Sequence, residues 1–387
     1  MRAEDELNES REDEIPDVAQ VGTGIEDEDS SSAEAITDPF DPNLVRIDRD
    51  QPTIALLMTR IKEGEIDMQP DFQRKAGIWD NRTQSRLVES LLVRIPLPAF
   101  YFDATNDERW LVVDGLQRLT TLKRFIVDKS FYLGDLEFLT NLNGKSFDGL
   151  SRPLQRRISE TQVTAFTIQK NTPDTVKFTV FRRINTGGLP LSAQEIRHAL
   201  NQGRAPKYLA ELAESIEFKA ATDNSIRDDR MADRECVLRY LAFTLNEYST
   251  YRSKDFDEFL SGAMAQLNIL PEVELDAMKQ RFYSALTTSR SIFGRFAFRK
   301  LPKQSGRAPI NRALFEVWTV NLARLETEQL VVLEARHQKL DLAWKALLNN
   351  IDFEQAISAG TGNPVRVRLR FSEVEKLIGS VLRDNEY

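Results

Sequence analysis

The chain has 387 residues, 41% of them hydrophobic and 29% charged, an ordinary globular composition long enough for two domains. Its single cysteine, Cys236, excludes an internal disulfide, which makes a reducing, cytoplasmic setting the expectation. No apolar run approaches the roughly 18 to 20 residues of a membrane span, and the acidic N-terminus lacks the basic-then-apolar order of a signal peptide.

Residues 1–44 hold fifteen Asp/Glu and two Arg, a net of −13; the rest, with 50 Lys/Arg against 45 Asp/Glu, is mildly basic at +5 beneath an overall charge of −8. A Ser-rich acidic segment with almost no aromatics buries too little apolar surface to offset its ordering entropy, so disorder is expected there. It reads either as a solubilising tail or as an acidic mimic of nucleic acid that covers a basic groove. Ordered structure is expected from Asp50, where Asp50-Gln51-Pro52 suggests an N-cap and an early helical proline. Ile54, Leu57, Met58 and Ile61 follow at helical spacing, closed by Gly64. Asp80 caps a second helix whose buried face is Leu87, Val88, Leu91 and Leu92, and Pro96 stops it. Ala99–Phe102 and Trp110–Val113 read as strands on either side of a polar turn, and Val163–Gln169 as a third.

Beyond residue 171 the pattern turns helical. Thr172-Pro173-Asp174 is a helix start, and Ser192 to Glu195 is a capping box with Leu191 as its staple. Segments near 205–218, 231–247, 255–267, 272–290, 310–323 and 327–347 all carry helical periodicity. Val365–Arg370 alternates with period two, which would set three arginines on one face of a strand, either for base contact or, the favoured reading, as an edge strand guarded by charge. The fold class expected is α+β: an acidic tail over 1–44, a small mixed-sheet domain over 45–180, and an all-helical domain over 181–387.

The chemistry concentrates in the turn Asp114-Gly115-Leu116-Gln117-Arg118, between the strand Trp110–Val113 and a helix burying Leu116, Leu119, Leu122 and Ile126. Gly115 permits a backbone shape that other residues resist and a close ligand approach. The first helical turn leaves amides without partners at the positive end of the helix dipole, a natural anion site. Arg118 offers a phosphate-matching fork, Gln117 an amide, Thr120 and Thr121 hydroxyls. Asp114 would repel a phosphate unless it holds Mg²⁺, a ribose hydroxyl or Arg118 itself. A plain reading stands beside this one, in which Asp114 caps the helix and Arg118 pairs with a surface acid.

Trp110-Leu-Val-Val-Asp-Gly-Leu-Gln-Arg-Leu-Thr-Thr-Leu122 resembles the DGQQR-type signature of the GmrSD restriction-system N-terminal domain family, whose fold is ParB/sulfiredoxin-like. Gln69-Pro-Asp-Phe-Gln-Arg74 with Trp79 resembles that family's first box, and Ser90–Pro98 its second. Phe181-Arg-Arg-Ile-Asn-Thr-Gly-Gly188 with Leu191–Arg197 resembles a third, while Arg230–Glu235 and Ala313–Trp318 fit its helical part. The resemblance implies a nucleotide-binding, often nucleotide-hydrolysing module of DNA restriction or phage defence. It places Asp114, Gln117 and Arg118 at a nucleotide of unknown identity, an NTP with Mg²⁺ at Asp114, and brings in Gln73, Arg74 and Asn185. Asp114 and Arg118 would be the catalytic pair of an NTPase. Leu116 departs from the family's glutamine. Fused family members end in a His-Asn-His nuclease; with only His198 and His337 here, neither in a ligand pattern, a separate nuclease partner is expected.

Three other groups stand out. Arg182 and Arg183 are further ligand contacts, whereas the glycines after Asn185 read as a helix C-cap. Arg290–Arg312 holds seven Lys/Arg and no acid, with Phe293, Phe296 and Phe298 interleaved; Arg295, Arg299, Lys300, Lys303 and Arg307 are its candidate DNA contacts, against a solvated loop with the three Phe in the core. Asp228, Asp229, Asp233 and Glu235 read as a salt-bridged helix start rather than a metal site, and Cys236 as a small buried hydrophobe. The function expected is a nucleotide-dependent component of a DNA restriction or defence system, possible as an oligomer; the rivals are a non-enzymatic DNA-binding module whose turn holds a DNA phosphate, and a nuclease acting through Asp114.

Overall fold

The computed structural model describes residues 24–26, 46–68, 79–170, 172–184, 191–227, 230–253, 255–301 and 307–383. Five short strands form one mixed sheet: β1 (Ile47–Asp50), β2 (Ile66–Asp67), β3 (Phe100–Asp103), β4 (Trp110–Asp114) and β5 (Ala165–Ile168), in the order β1-β5-β3-β4-β2. β1 and β5 are antiparallel, as are β3 and β4; β3 runs parallel to β5 and β2 parallel to β4. The register slips at Tyr101, which pairs with Asp114 while Phe102 pairs with Val112.

Period-two alternation sorts the strand residues between two cores. Phe100, Phe102, Val112 and Ala165 point to one face, covered by α1 (Ile54–Lys62), α2 (Asn81–Leu92), α3 (Leu116–Leu122) and α4 (Arg152–Glu160). Leu111, Val113 and Ile168 point to the other, covered by α5 (Asp174–Ile184) and α6 (Ala193–Leu200) with Met231. The expected boundary at 180 therefore falls inside a helix that packs on the sheet.

The helix signals hold in detail. Asp80 accepts from the Thr83 amide at 2.8 Å, Gly64 adopts φ +79° after α1, and Ser192 with Glu195 forms the capping box. The cap of α1 differs: Thr53, not Asp50, accepts from the Leu56 amide, because Asp50 is spent in β1 pairing with Ala165.

The remainder is helical among the described residues: α7 (Ala205–Glu214), α8 (Ile216–Thr222), α9 (Ala232–Leu245), α10 (Phe256–Ile269), α11 (Glu272–Phe293), α12 (Arg312–Ala323), α13 (Thr327–Ala335), α14 (His337–Leu348), α15 (Ile351–Ser358) and α16 (Pro364–Arg383). These share one large apolar core. The edge strand expected at 365–370 is instead the start of α16. Its alternating Val and Arg also fit a helical stripe, and Val367, Arg370, Phe371 and Val374 are the buried ones.

Buried charge threads this core. Arg370 and Glu316 are both 0% exposed, and Arg370 Nε donates to Glu316 Oε1 at 2.9 Å. Glu235 gathers Arg239 (2.8 Å), Arg312 (3.5 Å) and Arg197 (3.8 Å). Burial alone would raise its pKa; Arg312, Arg239 and Arg197 overcome that and hold it near about 2. Glu235 is thus salt-bridged as expected, though to arginines from other helices and its own next turn. Asp228 and Asp229 lie outside the described residues. Arg197 also reaches Asp257 Oδ1 at 2.5 Å, tying α6 to α10. Cys236 is buried in α9, and desolvation pushes its thiol up to about 12.

Candidate functional site at the Asp114–Arg118 turn

β4 carries Asp114 to the sheet's end, and Gly115 turns the chain at φ +102°, ψ 9°. That left-handed shape favours glycine, and packing requires it as well: a Cβ would lie 2.5 Å from the Phe100 ring. No side chain caps α3. The helix runs on without a break into a π-helical turn, Lys123–Val127.

Arg118 does not reach outward. It is 8% exposed, its guanidinium lies 4.6 Å over the Phe100 ring, and it donates to Asp114 Oδ2 at 2.7 Å, to the Ala99 carbonyl at 3.2 Å and to the Pro98 carbonyl. Burial lowers its pKa and Asp114 raises it again, the first effect being larger. Arg118 thus staples the end of β4 to the loop entering β3. Its pairing with Asp114 is the third of the roles open to that carboxylate, and the partner is internal rather than the surface acid of the plain reading.

The other predicted residues separate into three groups. Gln117 Oε1 accepts from the Trp79 amide at 3.3 Å, Gln84 Nε2 donates to the Trp79 carbonyl, and Arg124 donates to Gln84 Oε1 at 2.8 Å. The residue following the first box is therefore brought to the turn, although Gln73, Arg74 and Asn185 themselves lie outside the described residues. Thr121 is 1% exposed, its hydroxyl donating to the Gln117 carbonyl at 2.8 Å, which gives it a place inside the helix; Thr120 is half-buried. Arg183 is exposed at the end of α5, and Arg182 approaches Asp257 at 3.8 Å. Phe100 and the Pro98 and Ala99 carbonyls were not picked out from sequence: an aromatic in a strand signals core, and carbonyl partners leave no trace in residue identity.

The basic stretch is partly drawn inward. Arg299 is 5% exposed and donates to Ser225 Oγ at 2.6 Å and to the Thr222 carbonyl at 3.3 Å; burial, then Arg307, lower its pKa to about 10. Arg307 pairs with Asp223, and Lys300 with Glu26 at 2.7 Å. Arg295 is exposed beside Phe296, which is 52% exposed. Phe298 is in the core, Phe293 packs against it, and Lys303 lies outside the described residues. Among the described residues no group of three His, Cys, Asp or Glu is placed to hold a metal, and no helix is long and apolar enough to cross a membrane.

These features define an α+β domain organised round a strand–glycine–helix turn, followed by helices. Residues 54–201 match the family model "GmrSD restriction endonuclease, N-terminal domain" and are a domain of that family, one belonging to restriction and phage-defence systems. The match covers α1 to α6, the part built round the sheet, and less than half of the chain. Searches of curated proteins and of solved structures gave no match.

Proposed function

We propose that the protein is the nucleotide-responsive, DNA-directed component of a restriction or phage-defence system, with an NTP handled at the Asp114–Arg118 turn and cleavage supplied by a separate nuclease. One observation carries this reading: Asp114 is held by a buried arginine at the mouth of a helix that no side chain caps. Arg118 offsets the charge of Asp114, so the carboxylate no longer repels a polyphosphate, and the first-turn amides favour one. In this arrangement Arg118 positions Asp114. Direct contacts fall to the amides, Gln117, Thr120 and Arg183.

Asp114 is a single carboxylate with one oxygen on Arg118. It fits Mg²⁺ only as one ligand beside the phosphates of a bound nucleotide, the usual arrangement for that ion. The metal would there neutralise phosphate charge.

The test is nucleotide binding and phosphate release, run with several NTPs, with and without DNA, on the wild type, Asp114→Asn and Gln117→Ala. Binding by the wild type, with release lost in Asp114→Asn at retained stability, supports the proposal. Release equal in both proteins removes Asp114 from the chemistry. Salt-sensitive DNA binding with no nucleotide affinity leaves a DNA-binding module instead.

A further inference from the structure

Three residues of the acidic N-terminal segment are docked on the helical domain. Ile25 forms a parallel bridge with Ile310, which also bridges Arg299 antiparallel. The Ile310 amide donates to the Gly24 carbonyl at 3.0 Å, and the Glu26 amide to the Ile310 carbonyl at 2.8 Å. The contact is an isolated β-bridge, in which two main-chain bonds hold the segment and side chains select it. The selection is strict. Gly24 sits at φ +78°, where a Cβ would lie 1.7 Å from the Ser225 carbonyl oxygen. Ile25 is 6% exposed and joins the helical core. The Glu26 carboxylate takes Lys300 Nζ at 2.7 Å through one oxygen and Asn311 Nδ2 at 2.8 Å through the other. Asn311 caps α12, and Arg312 Nη1 points at the Glu26 carbonyl from 3.5 Å.

The place the carboxylate occupies is a built anion site. A twelve-residue helix starts there, its cap is 3% exposed, and Lys300 is turned in, bonded also to Ser358 Oγ at 2.6 Å with Glu354 at 3.9 Å. Lys300 and Arg312 belong to the stretch Arg290–Arg312, which has seven Lys/Arg and no acid in sequence. A lysine and an amide N–H that converge on an anion at the start of a helix are the chemistry of contact with a nucleic-acid phosphate. We propose that this is a nucleic-acid phosphate site, and that Glu26 occupies it in cis as a competitor. The docked segment belongs to a stretch carrying net −13, and tethering keeps its effective concentration high. Only the part of the functional reading that concerns DNA is needed here; the nucleotide is not.

The experiment measures anisotropy of a labelled DNA duplex with the full chain at low ionic strength. The proteins are wild type, Gly24→Val, Glu26→Gln, and each variant combined with Lys300→Ala. Limited proteolysis of the N-terminal segment reports whether it has been released. Gly24→Val should expose the segment to protease, tighten DNA binding several-fold and steepen the salt dependence by about one counterion. Glu26→Gln should give a smaller gain, and Lys300→Ala should cancel both. A synthetic peptide spanning residues 18–32 should compete with DNA on the Gly24→Val protein. Released protein that binds DNA no better than wild type, or a gain that persists without Lys300, overturns the competition. A peptide that docks while no protein binds DNA overturns the DNA reading itself, and the nucleic-acid site with it.

Discussion

Two helices of this protein begin beside a carboxylate paired with a cation, and they acquire the pair in opposite ways. At α3 both partners are local: Asp114 and Arg118 stand four residues apart, and the arginine is further committed to two carbonyls and an aromatic face. At α12 the carboxylate comes from Glu26, 274 positions from Lys300, on a segment held by two main-chain hydrogen bonds and one buried side chain. A local pair whose every partner lies within the same domain is a fixed part of the fold. A remote pair can be exchanged, because displacing it costs only the docking of a few residues and exposes a ready-made site.

That contrast can be broken by measurement. The largest effect sets the scale for a fully committed pair: Arg370→Ala strands Glu316, at 0% exposure, without its principal partner and should lower stability by about 3–5 kcal/mol in denaturant unfolding. Arg118→Met should come next, at about 2–3 kcal/mol, since it removes charge-assisted hydrogen bonds to the Pro98 and Ala99 carbonyls and leaves Asp114 without its cation; a loss below about 0.5 kcal/mol would make Arg118 as dispensable as a surface residue. Gly115→Ala should cost roughly 1–3 kcal/mol through its left-handed φ and its clash with Phe100. Ile25→Ala should cost less than a typical core truncation of about 2–5 kcal/mol, because segment release competes with the cavity; a full core-sized loss would mean that the docked segment is as integral as Arg118.

Acid titration sharpens the same point for the helical core. Glu235 is held near about 2, below its ordinary value of 4.5. Its stabilising contribution is therefore complete above the unfolded carboxylate range and lost as pH falls from there towards about 2. Unfolding followed between pH 5 and pH 2 should show a stability loss that is smaller in Glu235→Gln, after allowing for that variant's lower starting point.

Much of the sheet domain was legible because its signals are local. Asp80, Gly64, the Ser192–Glu195 box and the short apolar runs of β3 and β4 each act over a few residues. The strands β1 and β2 escaped notice: β1 is three-quarters charged, and β2 has two residues, as befits the two edges of a sheet. Val365–Arg370 misled because its pattern satisfies both a strand and a helix, and only Glu316, more than fifty residues upstream, decides which way Arg370 points. At the candidate site, the turn, its glycine and the Asp–Arg spacing could be read from sequence. That the guanidinium faces inward could not, since its partners are main-chain carbonyls. The expectation of disorder across 1–44 missed Gly24–Glu26 for a related reason: composition averages over a segment, whereas docking needs three residues.

Cys236 gives the molecule a use beyond its own chemistry. A solitary thiol buried in α9, which desolvation holds in its neutral form, should stay silent to alkylating reagents until the helical domain opens. It therefore serves as a native clock for that opening, read by labelling rate under any ligand or partner. With Cys236 buried, a second cysteine placed on the surface should carry a dye with little background, and any departure of Gly24–Glu26 could be timed on single molecules.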